Sequence, residues 1–174
     1  MVSNDIFFEA HLDNIAYDLA ISPPVLYGEE AKQAAKIYGS LDRGAYLWKN
    51  RENTVVLKNK DSISTAAHEL RHAWQHQYSH TSFNYKLPTK KQSRFHAFFS
   101  RILYWLTYFF NPKEIDADKF AADYCRRNKL TYDLRKVREQ IIISKISRVG
   151  IPIGLIFMLS CVTYLIYLLI TING

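Results

Sequence analysis

Residues 66–77, AAHELRHAWQHQ, place histidines at positions 68, 72 and 76, with a glutamate directly after the first. On a helix, residues i and i+4 stand one turn apart on the same face, so His68 and His72 can aim both imidazoles at one point. Glu69 lies about a third of a turn away, near enough to reach a water on an ion held by the two histidines, yet displaced from the ligand position. Two neutral imidazoles and a carboxylate that accepts a proton from water make the donor set of a hydrolytic zinc site. His76 cannot join His68 on that ion, because helical rise separates them by about 12 Å, whereas zinc ligands lie within about 2.1 Å of the metal. The pair His72 and His76 would put Ala73 where the carboxylate belongs, and the position six residues after His72 is Tyr78 rather than another histidine. The third ligand must come from elsewhere. The alternative is an amphipathic helix with a solvated histidine face.

A partner for this segment appears in NPKEIDADKFAADYC, residues 111–125. Asn111 followed by Pro112 has the form of a helix start, an N-cap and then the first helical position. Small or apolar residues recur at Ile115, Ala117, Phe120, Ala121 and Tyr124. Glu114 and Asp118 are then i and i+4. One face can offer a carboxylate to a metal and a second carboxylate, one turn on, to the free nitrogen of a ligand histidine, fixing its tautomer. The competing role for Glu114 is that of a capping-box acid three residues after Asn111.

HELRH followed by EIDAD resembles the His-Glu-x-x-His and Glu-x-x-Ala-Asp pair of gluzincin metallopeptidases, notably the HtpX-like and CAAX-prenyl-protease families; STAAHELRHAWQ is also similar to small metallopeptidase-like domains of bacteria and phages. The likeness covers roughly residues 40–125, with Arg71 where many relatives carry glycine. It implies that His68, His72 and Glu114 ligate one Zn²⁺ per chain, that Glu69 is the general base and that Asp118 supports a ligand histidine. The activity implied is hydrolysis of a protein or peptide substrate. The oxyanion donor stays open among His76, His96, Tyr124 and Tyr78.

The elements that must carry these residues follow from pattern. GAYLWKNRENTVVLKN alternates weakly around a polar cluster, Asn50 to Asn53, and reads as a hairpin. The resemblance places TVVLK as the edge strand beside the active helix, where an extended peptide would pair. Residues 5–20 and 29–38 read as helices separated by the breaker SPPVLYG. The expected class is α+β and mainly helical: a minimal zincin-like domain with a small β-hairpin or edge strand, plus one C-terminal transmembrane helix. Its parts are an N-terminal helical region (1–39), the metallopeptidase core (40–128), a basic juxtamembrane linker (129–150) and the span (151–172).

The span is the apolar run IPIGLIFMLSCVTYLIYLLITI, uncharged over 22 residues, long enough to cross a bilayer as a helix. Arg126, Arg127, Lys129, Arg135, Lys136, Arg138, Lys145 and Arg148 precede it, against Asp133 and Glu139 alone. By the positive-inside rule that flank, and the catalytic domain with it, is cytoplasmic. Beside a span, attraction of these cations to anionic headgroups is favoured over nucleic-acid binding. A second apolar stretch, Phe95 to Phe110, has 16 residues and carries Arg101 near its middle, so it reads as an interfacial or re-entrant helix or as a wall of the cleft. Lys86, Lys90, Lys91 and Arg94 flank it. A single crossing there would put His68 and Glu114 on opposite sides of the membrane. The chain of 174 residues has 2 cysteines, Cys125 beside a basic run and Cys161 in the span, which gives no disulfide framework and suits a reducing compartment. MVSNDIFFEAHLDN lacks the form of a signal peptide. Competing readings are a non-catalytic, membrane-tethered zinc-binding module and a membrane-active protein with incidental histidines.

Overall fold

The architecture is that of a computed structural model, which describes residues 2–35, 43–47, 53–78 and 110–173. Helix takes up 79% of these, which leaves the sheet small. In chain order come helix α1 (Val2–Leu19), strand β1 (Val25–Tyr27), helix α2 (Gly28–Ala35), strands β2 (Gly44–Leu47) and β3 (Thr54–Leu57), and helices α3 (Ile63–Tyr78), α4 (Pro112–Arg127) and α5 (Thr131–Asn173). The aromatic stretch 95–110 lies outside the described residues apart from Phe110, as do His96, Lys86, Lys90, Lys91 and Arg94.

Strands β2 and β3 pair antiparallel, with Gly44 opposite Leu57 and Leu47 opposite Thr54, as the hairpin pattern predicts. The stretch read only as a breaker adds something the pattern did not show. Val25–Tyr27 pairs parallel with β3 on its other side, Val25 against Val55. The sheet order is therefore β1-β3-β2. TVVLK is not an edge strand: β3 is central and buried at all four positions, and among the described residues the free edge next to α3 belongs to β2. Alternation along a strand reveals which side chains share a face, not what pairs on either flank.

Two apolar layers clamp the sheet. Val55 and Leu57 face Phe8, Leu12 and Ile15 of α1 and Ala66, Ala67 and Leu70 of α3. Val56 and Leu47 turn the other way, onto Ala31 and Ala35 of α2. The first of these layers continues through Ala121 and Tyr124 of α4 to Val137 of α5.

Helix α5 departs from the expected linker. From Thr131 the basic stretch is helical and runs without a break into the apolar span, past Pro152. Its first half docks on the core through Asp133, Val137 and Ser144, all buried, with Leu134 and Ile141 partly buried between them. That spacing is one face of a helix, while the cations lie on the remaining faces. The second half, long and apolar enough to cross a membrane, has none of its most apolar window buried.

Candidate metal centre

Two capped helix starts hold the site. Ser62 begins α3: its hydroxyl accepts the Thr65 N–H at 3.3 Å. The buried Asp133 carboxylate of α5 accepts the Ser64 N–H (3.1 Å) and hydroxyl (2.9 Å), placing negative charge at the positive end of α3. Helix α4 starts as the Asn-Pro signal predicts, with Asn111 Oδ1 accepting the Lys113 N–H at 3.0 Å. Glu114 is not spent on this cap. It faces α3.

There the two halves of the pattern meet. Glu114 Oε2 lies 3.3 Å from His68 Nε2 and 3.4 Å from His72 Nε2, and the two Nε2 atoms are 3.0 Å apart. The ligand atoms of His68, His72 and Glu114 all fall within 4.8 Å of one another, so this group could hold a metal ion. Each ring's far nitrogen is engaged: His68 Nδ1 lies 3.0 Å from Asp118 Oδ1, and His72 Nδ1 lies 2.9 Å from Gln75 Oε1. Both partners accept, so each Nδ1 carries hydrogen. Two Nε2 lone pairs and a carboxylate oxygen are thereby turned toward one point. Three acceptors so close need a positive centre between them, a shared proton or a cation, and the donor set fits a divalent ion.

The electrostatics record that need. Burial would depress the His68 imidazole, but its bonds to Asp118 and Glu114 and the nearby charge of Glu69 lift it well above the usual histidine range. Burial would raise the Glu114 carboxyl, yet His68 and His72 hold it far below the usual range. Without a cation, the same acceptors favour a proton on His68.

Glu69 stands apart from the ligands, with only 9% of its surface exposed. Burial pushes its carboxyl above the ordinary value and the Glu114 charge adds to the rise; His68, His72 and a bond from the Tyr46 backbone N–H oppose it. That last bond explains a glycine. Lys58 N–H donates to Arg43 O at 2.8 Å, so in the alternating antiparallel ladder Gly44 and Tyr46 direct their backbone groups away from β3. A Cβ on Gly44 would stand 2.9 Å from Thr65 Cγ2 and 3.1 Å from Glu69 Cγ. Only a bare Cα lets the strand approach Glu69 this closely.

Several residues have roles that spacing alone did not reveal. Gln75, buried at 4% exposure, donates its amide hydrogens to Lys113 O (2.9 Å) and Asp116 Oδ2 (2.8 Å). Arg71 pairs with Asp116 through Nε at 2.7 Å and Nη2 at 3.3 Å, with its guanidinium 3.8 Å above the Trp74 ring. Gln75 at i+3 from His72 was the available signal. Of the suggested oxyanion donors, Tyr124 is fully buried against His11, Tyr78 donates to Ala20 O, and His76 meets the Tyr46 hydroxyl at 3.0 Å. None of these three contacts points to the His68–His72–Glu114 cluster. No family model, curated protein or solved structure matches the chain.

Proposed function

We propose that this chain is a membrane-anchored, zinc-dependent metallopeptidase with a minimal zincin-like domain of the gluzincin kind. The observation that carries the reading is the convergence of His68 Nε2, His72 Nε2 and a Glu114 oxygen, with both Nδ1 atoms committed elsewhere. Two imidazoles and a carboxylate, borderline in softness, suit Zn²⁺ and leave a coordination position open. When bound, zinc supplies Lewis acidity, acidifying water and polarising the scissile carbonyl.

The chain's own residues do the rest. Glu69 takes the proton of the attacking water and returns it to the leaving amine. Its raised carboxyl holds that proton more readily than an exposed glutamate would. Asp118 keeps the His68 ring turned to the site. The open edge of β2 offers the Gly44 backbone groups to an extended peptide, the usual mode of strand addition. The apolar half of α5 anchors the protein in the bilayer, and the cations from Arg126 to Arg148 hold the preceding domain on the cytoplasmic side, against anionic headgroups.

The test is elemental analysis of the purified full chain together with Glu69→Gln. Stoichiometric zinc in both proteins, peptide hydrolysis by the wild type and its loss by at least 10²-fold in the variant are expected. Zinc without hydrolysis of a broad peptide library would instead establish a tethered binding module. Absence of zinc, unchanged by His72→Ala, would end the metal reading altogether.

A further inference from the structure

Two ligand histidines need two devices to hold their rings, and the acid of the EIDAD segment supplies one. Asp118 accepts from His68. His72 has no carboxylate on its Nδ1; it has the amide of Gln75 at 2.9 Å. An amide is an ambiguous partner, because turning it end for end replaces an acceptor with a donor. Presented with NH₂, His72 would have to move its hydrogen to Nε2 and would have no lone pair for an ion.

The surroundings of Gln75 remove that ambiguity. Its other end touches Lys113 O at 2.9 Å and Asp116 Oδ2 at 2.8 Å, both acceptors. That end must be the NH₂, so Oε1 faces His72. Asp116 could swing into solvent, since its side chain is 45% exposed. Arg71 prevents this with two bonds, and is itself pressed onto the rings of Trp74 and Phe120, 3.8 Å and 5.3 Å from their centroids. Arg71 is the residue between Leu70 and His72 inside HELRH.

We propose that Arg71, Asp116 and Gln75 form a serial positioning relay. Arg71 fixes Asp116, Asp116 fixes the amide orientation of Gln75, and Gln75 fixes the Nδ1–H tautomer of His72, leaving Nε2 free for a metal. The relay deepens the zinc reading and rests on it for its purpose, but its first readout needs no metal. None of the three belongs to the group that could hold the ion, so each acts through His72.

The experiment uses the full chain in detergent micelles, with Gln75→Leu, Asp116→Asn, Arg71→Met, each of the last two combined with Gln75→Leu, and Asp123→Asn as an exposed control on the same helix. Nitrogen-15 NMR of the metal-free protein reads the His72 tautomer, chelator competition reads zinc affinity, and circular dichroism checks the fold. Wild type and the control are expected to show Nδ1–H. Gln75→Leu should populate Nε2–H and weaken zinc binding 10- to 100-fold, the range for lost partners of ligand histidines. Asp116→Asn and Arg71→Met should weaken it several-fold alone and not at all on top of Gln75→Leu, since a serial device cannot be broken twice. Asp116→Asn is nearly isosteric and half exposed, so it reports even if Gln75→Leu fails to fold. Independent, multiplying losses, or an Nε2–H tautomer in the wild type, would overturn the relay. A wild type that has the Nδ1–H tautomer yet takes no zinc would leave the relay standing and overturn the zinc reading.

Discussion

On the proposed zinc-peptidase reading, Gly44→Ala is the substitution that best separates holding a metal from aligning a base. The added methyl would lie 2.9 Å from Thr65 Cγ2, 3.0 Å from Leu57 Cδ2 and 3.1 Å from Glu69 Cγ. Ordinary contacts begin near 3.4 Å, so three neighbours on two elements must each give by a few tenths of an ångström. Gly44 has no left-handed backbone to protect, since among the described glycines only Gly28 has a positive φ. The cost is therefore overpacking, about 1–3 kcal/mol, or a thermal midpoint lower by roughly 2–12 °C for a chain of this size. The strand moves outward, and the Tyr46 N–H loses its hold on Glu69. Displacing a catalytic group by about 1 Å costs on the order of 10²-fold in rate. The three nearest atoms to the methyl belong to Thr65, Leu57 and Glu69 and to none of His68, His72 and Glu114, so zinc affinity should stay within about twofold while hydrolysis falls 10- to 100-fold. Thermal unfolding in micelles, chelator competition and peptide cleavage measure the three quantities on one preparation. Unchanged stability and cleavage would refute the claim that β2 presses on the base; equal losses of zinc affinity and cleavage would show that the strand supports the ligands instead.

Three further outcomes follow from the same geometry. Asp118→Ala strands the His68 Nδ1–H and should weaken zinc binding 10- to 100-fold, with Asp118→Asn milder because its carbonyl still accepts; wild-type affinity in both would remove Asp118 from the site. For pH, burial lowers the His68 value but its bonds to Asp118 and Glu114 raise it further, well above that of a free imidazole. This raised value stabilises the metal-free fold in full below about pH 6.5, and the contribution disappears as pH rises through the folded value. Zinc, if bound as proposed, would displace the same proton, so zinc titrations should show apparent affinity climbing about tenfold per pH unit above neutrality until that value is passed; a flat profile from pH 6 to 8 would contradict the shared-proton arrangement. Finally, Lys129 ends α4 with φ of 57°, its N–H bonded to Arg126 O and the Leu130 N–H to Cys125 O, a left-handed helix end built on a non-glycine residue. Lys129→Gly should raise stability by about 0.5–1 kcal/mol in thermal or denaturant unfolding, and a loss would count against that conformation.

The site was legible where its chemistry is local. The i, i+4 repeats of His68 and His72 and of Glu114 and Asp118 each define a helix face from sequence alone, and Asn111–Pro112 marks where the second face begins. The relay was not, because the bonds from Gln75 to Lys113 and Asp116 exist only once α3 docks on α4. Strand β1 was hidden for a related reason: three residues in a proline-rich stretch carry no periodicity, and their parallel partner lies about thirty residues away. Helix α5 shows how composition can mislead. Its many cations suggest a linker, but Leu134, Val137, Ile141 and Ser144 repeat at helical spacing beneath them.

The unbroken α5 also sets an altitude. Only three residues, 128–130, connect α4 to α5, and the two helices share one core, Ala121, Ala122 and Tyr124 with Val137, Leu134 and Ile141. The apolar run begins at Ile151, roughly 10 Å beyond the buried Ser144 along the α5 axis. On the proposed anchoring, the docked face of α5 and the apolar run belong to one helix, so each residue inserted between Ser144 and Ile151 would lift the domain by about 1.5 Å and swivel it by about 100° relative to the lipid.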